Sequence, residues 1–225
     1  MSSEPDDRAV TEMSRRAMRA SDRRAQVLHA AARVMSERGA ERTRLVDVAR
    51  AAKVSTGLIQ HYFSSRDELL SETLEFCTDR WLASWEEMAS NESDPTKRLL
   101  VLLRMASFEM EGWHEVQWRI WIEFWSLCDR DPVFRAQYAG LYDRFRGPFY
   151  DCIREGIESG SFTISSTEDD VIDRLTAMIE GLRVRALLEP DRMPRERMFQ
   201  LIVAEASEQL GTSLSAKAGQ KAGEA

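Results

Sequence analysis

Residues that build metal and redox sites are scarce: histidine and cysteine number three each in 225 residues. His29, His61 and His114 do not show metal-ligand spacing, and Cys77, Cys128 and Cys152 form no C-x-x-C pair. Each cysteine sits among apolar residues in a helical pattern, which suits a buried reduced thiol, with redox sensing as the alternative. No metal and no cofactor is expected. Long apolar runs and a signal-peptide pattern are missing too, so the expectation is a cytoplasmic protein that does not engage the membrane. No internal repeat and no convincing strand is found. Catalytic groupings are equally poor. Ser55, His61 and Asp67 could be drawn as a triad, but His61 falls on a short helix of a different design, so no enzyme is expected.

A positive net charge is also lacking: the chain carries −7 at neutral pH, which at first argues against a nucleic-acid partner. Its distribution reverses that impression. From Arg8 to Phe63 there are 12 Lys+Arg against 5 Asp+Glu, whereas from Ser64 onward there are 19 against 30. A basic end on an acidic body is what a protein with one DNA-facing surface should show, although an ordinary solvated face has the same charge pattern.

What is present is concentrated in Thr43–Leu70, TRLVDVARAAKVSTGLIQHYFSSRDELL. Leu45, Val48, Ala49 and Ala52 share one face at helical spacing. Ala52-Lys53-Val54 makes a turn, and Ser55 is an N-cap for a second short helix, Thr56 to His61. This is a helix-turn-helix pattern, whose second helix enters the DNA major groove. The small and polar Ser55, Thr56, Gly57 and Gln60 at its front suit an element that must approach base edges closely and hydrogen-bond to them.

The run Val54-Ser55-Thr56-Gly57-Leu58-Ile59-Gln60-His61-Tyr62-Phe63, followed by Arg66-Asp67-Glu68-Leu69-Leu70, resembles the DNA-binding region of TetR-family transcriptional repressors. Gln60-His61-Tyr62-Phe63, Trp121-Ile122-Glu123-Phe124-Trp125 and Ile179-Glu180-Gly181-Leu182 with Leu187-Leu188 are most similar to the BetI-like branch. The resemblance covers about Arg23 to Leu210 and departs at two positions. Lys53 stands where a glycine usually makes the turn, and a positive φ there would cost about 1 kcal/mol. Arg44 stands where Thr or Ser usually caps the first short helix, a role that Thr43 could take over. The resemblance implies a homodimer on double-stranded DNA with a palindromic operator. Thr43, Arg44, Ser55, His61, Tyr62 and Arg66 would hold phosphates, and Thr56, Gly57 and Gln60 would sit closest to bases. A small-molecule effector would act from the second domain. The rival reading is a helical small-molecule-binding or interaction protein without sequence-specific DNA binding.

An all-α fold of about nine helices follows from the rest of the chain. Residues 1–20 are expected to form a disordered basic arm, 21–64 a three-helix DNA-binding domain, 65–211 a helical ligand-binding and dimerisation domain, and 212–225 a disordered tail. The first helix runs from Asp22 to Arg38 and stops at Gly39. Ser65 with Glu68 opens a long fourth helix. Asp94-Pro95 and Asp131-Pro132 cap the fifth and seventh helices, with Gly147-Pro148 kinking the seventh. Val116–Asp129 forms the sixth, and Thr167 opens the eighth. The ninth runs from Pro194 to Leu210. By the same resemblance the last two helices pair between subunits, through Leu175, Ile179, Leu182 and Ala186 on one and Ile202, Val203 and Ala206 on the other.

The second domain is rich in aromatics. They can be core and dimer packing, or several can line an effector cavity. The candidates are Trp81, Trp85, Met105, Phe108, Trp121, Trp125, Tyr138, Tyr142 and Met178. Near Glu109, Glu123 or Glu180 such rings would suit an organic cation, and the BetI resemblance brings choline as a candidate.

Overall fold

The computed structural model describes residues 7–107 and 113–215. Its helices are α1 (Asp7–Arg38), α2 (Leu45–Ala52), α3 (Thr56–Tyr62), α4 (Arg66–Ser90), α5 (Pro95–Ala106), α6 (Trp113–Arg130), α7 (Pro132–Glu158), α8 (Glu168–Leu188) and α9 (Arg195–Gln209). No strand occurs among the described residues, so the fold is all-α as expected. No helix in them is long and apolar enough to cross a membrane.

Helix starts follow local chemistry. Ser55 accepts from the Leu58 N–H at 3.2 Å, Asp94 from Thr96 at 2.8 Å, and Thr167 from Asp170 at 3.1 Å, each satisfying an N–H that the helix itself leaves open. At α4, Ser65 accepts from the Glu68 N–H at 3.0 Å, and the Glu68 carboxylate returns to the backbone and hydroxyl of Ser64. Two starts differ from expectation. α1 begins at Asp7, not Asp22, because the intervening residues are mostly good helix formers and include no Gly or Pro. α2 begins without a side-chain cap at Arg44, and Thr43 does not replace it, since its hydroxyl donates to Gly39 O at 2.8 Å. α7 runs on through Pro148. The chain also stays packed beyond Thr212, with Leu214 buried and its N–H on the Ser207 hydroxyl.

Contacts divide the protein into two compact units, one up to Thr78 with Val116–Ala136, the other of Asp79–Glu115 with Gln137 onward. The border expected at 64/65 falls inside the first unit, and α6 belongs there too. The first unit has a small core in which Val27, Ala31 and Val34 of α1 meet Val48, Ala49 and Ala52 of α2, Ile59 of α3, Phe63 and Leu69. The larger core of the second unit draws on α4, α5, α7, α8 and α9.

The residues expected at a dimer interface lie elsewhere. Leu175, Ile179, Leu182, Ile202, Val203 and Ala206 are buried in the second unit's own core, and Ala186 packs against it. An apolar stripe reads the same whether it faces its own chain or a partner, and here it holds α8 on α9. Ile179→Ala is therefore expected to lower the unfolding free energy by about 2–5 kcal/mol in chemical denaturation. Unchanged stability would show that this side chain is not a core residue.

Candidate nucleic-acid interface

α3 is pinned from behind. Ile59 and Phe63 are fully buried, while Gly57, Gln60 and His61 are exposed on one face at i, i+3 and i+4 spacing. Ser55 is exposed at the N-cap and Thr56 half-buried beside it. Tyr62 is half-buried against the small core, its ring 5.6 Å from His61 and 6.3 Å from Phe63. Gly57 has no internal reason to be glycine. Its φ is not positive, and an added Cβ would meet only the Ser55 hydroxyl, at 3.9 Å. Glycine within a helix costs stability relative to alanine, so this position makes sense where the backbone must come close to something outside the chain.

Two of the expected phosphate ligands have other work. Thr43 is buried, with its hydroxyl on Gly39 O. Arg66 turns inward: Nε donates to Thr43 O at 2.9 Å, one terminal nitrogen donates to Ala40 O, and the other meets Asp67 at 3.1 Å. Arg66 thereby ties the α1–α2 turn to the start of α4, while the Thr43 hydroxyl closes the turn on itself. The two Arg66 bonds to the turn close across 23 and 26 residues, so sequence spacing gave no sign of them. The same turn is held from α6, where the Glu123 carboxylate accepts the Ala40 N–H at 2.7 Å. Glu123, a suggested partner of an organic cation, is thus taken up inside the first unit.

Around this frame Arg38 and Arg50 share Asp47, at 3.0 and 3.4 Å, and Arg24 pairs with Glu72 while lying 5.3 Å over Phe63. Burial raises the Glu72 carboxyl and Arg24 opposes the shift; Glu68 is lowered by the Ser64 hydroxyl and N–H. Arg42, Arg44 and Lys53 are exposed and make no ion pair among the described residues. They leave a basic surface flanking α2 and α3, suited to a polyanion.

In the second unit the aromatics form a tight stack. Trp81 lies 4.4 Å from Trp85 and stacks on Phe145 at 5.0 Å, and Tyr138 stacks on Tyr142 at 5.2 Å. Tyr142 donates to Thr176 at 3.1 Å, and Met178 packs against the same core as the buried Met105. The cation over Trp81 is the protein's own Arg183, fully buried at 5.2 Å. Burial pushes the nearby Glu180 carboxyl up to about 7, with Arg183 opposing. A carboxyl raised in this way favours the folded state most below its ordinary value of 4.5, and that contribution fades as pH rises through about 7. The cluster is thus largely satisfied from within, as core packing. Trp121 and Trp125 are in the first unit, where Trp125 packs on Trp118 at 5.3 Å, and Phe108 and Glu109 lie outside the described residues.

The open space is on another side. A cavity of about 640 Å³ is lined by α4, α5 and α7, with Asp79, Glu86, Asp151 and Glu155 as acids and Arg98 and Arg144 as bases. Arg98 pairs with Glu155 and Arg144 with Asp79, which leaves Glu86 and Asp151 without an ion pair among the described residues. Among the described residues, Trp85 is the one expected ligand residue that lines it, and its buried indole N–H has no hydrogen-bond partner among them. The signal for the acidic lining in the sequence is not its rings but the carboxylate spacing, Asp79 with Glu86 at i,i+7 and Asp151 with Glu155 at i,i+4. Cys152 lines the same cavity, hydrogen-bonded to Pro95 O, and burial pushes its thiol up to about 11, which argues against redox sensing.

Residues 27–73 match the model of bacterial regulatory proteins of the tetR family, and residues 95–211 match the C-terminal domain of BetI-type transcriptional repressors. The chain belongs to the TetR family of transcriptional regulators. Its relatives in this BetI-like branch are regulators and not enzymes. The chain is 28% identical over 183 residues to the transcriptional regulator PksA of Bacillus subtilis, covering 80% of this chain and 86% of that one. It is 33% identical over 114 residues to BetI of Burkholderia lata, covering 50% of this chain and 58% of BetI. Among solved structures, a putative regulator from Saccharomonospora viridis in complex with choline superposes with a TM-score of 0.75 at 24% identity, over 84% of this chain and 96% of that one. FadR of Bacillus subtilis in complex with stearoyl-CoA has a TM-score of 0.68 at 16% identity, over 82% and 96%. At these identities the structural likeness speaks for the fold.

Gly57 offers a direct test of the exposed α3 face. Gly57→Ala is expected to raise the unfolding free energy by about 0.5–1 kcal/mol and at the same time to weaken DNA binding measured by fluorescence anisotropy. Full retention of affinity would show that no close backbone approach occurs there.

Proposed function

We propose that this TetR-family regulator acts in the cytoplasm as a homodimeric repressor on a palindromic operator, released by a small organic cation bound in the second unit. The observation that carries the DNA half of this reading is the exposed Gly57–Gln60–His61 face, held outward by Ile59 and Phe63 within a basic first unit. Thr56, Gly57 and Gln60 approach base edges, and Ser55, Arg44, His61 and Tyr62 hold the flanking phosphates. Thr43 and Arg66 serve by position.

The partner subunit meets the outer face of α8 and α9. Ala177, Gly181, Leu188, Leu201 and Ala204 are exposed there with Val184 half-buried, a low-relief apolar surface that permits close helix approach. Symmetry then sets two α3 helices on successive major grooves, about 34–36 Å apart.

For the effector, the acid excess of the α4–α5–α7 cavity favours a cation, with Glu86 and Asp151 as its counter-charges and Trp85 donating to a polar group on the ligand. Choline in the Saccharomonospora viridis relative supports this class. α4 begins beside the α1–α2 turn and ends at this cavity. A ligand that shifts α4 therefore alters α3, and ligand and DNA oppose one another by a shared coupling of about 1–3 kcal/mol.

Random-sequence selection with the purified protein is expected to recover an inverted repeat with half-site centres about one helical turn apart. Choline and related ammonium compounds, added to the selected complex, should lower affinity by about 5- to 150-fold. Glu86→Gln with Asp151→Asn should abolish that response while sparing DNA binding. Recovery of a single half-site would contradict the dimer reading; release by acyl-CoA but not by ammonium compounds would contradict the cation.

A further inference from the structure

Four described residues have positive φ: Gly39, Gly160, Gly211 and Lys53. Three are the residue that adopts this conformation freely. Lys53, at φ 56° and ψ 42°, sits in the left-handed region at the end of α2, two residues ahead of the α3 N-cap, where a side chain is unfavourable. The turn closes through backbone alone: the Lys53 N–H donates to Arg50 O at 3.2 Å and the Val54 N–H to Ala49 O at 3.0 Å. Val54 supplies its apolar contact with the small core. The Lys53 side chain is exposed and its ammonium makes no hydrogen bond or ion pair among the described residues. Asp47, the nearest acid before it in sequence, is already shared by Arg38 and Arg50.

A strained residue whose side chain contributes nothing inside the fold points to a contact outside it. We infer that Lys53 is a phosphate-binding residue, placed by the left-handed turn beside the mouth of the groove that α3 enters, and that it fixes the docking of α3 on operator DNA. A glycine would make the same turn at lower cost and lose the charge. An ammonium on a flexible stem suits a phosphate as a point charge without demanding the planar geometry of Arg. This deepens the DNA-reading function above and rests on it.

Two variants separate charge from backbone. Lys53→Gly removes both the ammonium and the strain, so its melting temperature should rise by about 2–4 °C. Its affinity for specific and scrambled DNA alike should fall roughly tenfold, and the salt dependence should flatten by about two charges per dimer. Lys53→Ala keeps the strain and removes the charge; it should lose the same affinity without the thermal gain. If both variants bind with wild-type affinity and salt slope, Lys53 does not contact phosphate. If only the glycine variant loses affinity, turn flexibility is the cause and the inference fails. A fall in melting temperature for Lys53→Gly would assign the side chain an internal role and overturn it as well. Failure of the DNA-reading function itself looks different: the unaltered protein would then bind specific and scrambled DNA equally, at every salt concentration.

Discussion

Everything α3 can do depends on the turn between α1 and α2. The Ala40 peptide is held on both sides, its N–H by the Glu123 carboxylate of α6 at 2.7 Å and its carbonyl by the Arg66 guanidinium of α4. Arg66 also takes Thr43 O at 2.9 Å, and the Thr43 hydroxyl closes back on Gly39 O. Hydrogen bonds to charged groups contribute about 1.5–3 kcal/mol each, so this turn is fastened far more firmly than its short loop would be alone. Gly39 supplies the positive φ that ends α1, and a side chain there would press on the Glu123 carboxylate at 3.2 Å. Three helices distant in sequence are thereby joined at the element that orients α2 and α3.

The second unit separates stability from reception. Its aromatic stack is filled and internally charged, with Arg183 over Trp81 and Tyr142 tied to Thr176. The α4–α5–α7 cavity is instead open, acidic and incompletely satisfied at Trp85. A ligand entering the stack would have to displace the protein's own cation; one entering the cavity completes pairs that are missing. This difference in cost is the physical ground for proposing the cavity, and not the stack, as the effector site. α4 contributes to both, and its first turn carries Arg66.

Local chemistry made much of this legible in the sequence. Ser55, Asp94 and Thr167 cap where their side chains and neighbours require, and the apolar spacing of α2 with Gly57 and Gln60 at the front of α3 sufficed for the helix-turn-helix. What escaped were facts of tertiary origin. Arg66 looked like a free cation until the fold brought the Ala40 and Thr43 carbonyls to it. Leu175, Ile179 and Ile202 form a stripe that cannot declare whether its partner is the same chain or another. Trp121 and Trp125 share a composition with Trp81 but belong to a different unit. Lys53 stood out in the sequence as a non-glycine at the turn, and the fold gives it the positive φ at which that cost arises.

The central claim is that the basic first unit of an acidic protein reads a particular DNA sequence. The most direct measurement is anisotropy of labelled DNA from immediately upstream of the protein's own gene, against a scrambled fragment, across a salt series. Tight binding to the upstream fragment that weakens steeply with salt, and clear preference over the scrambled one, is the expected result. Equal, weak binding to both fragments, with selection from random sequence then enriching nothing, would contradict it.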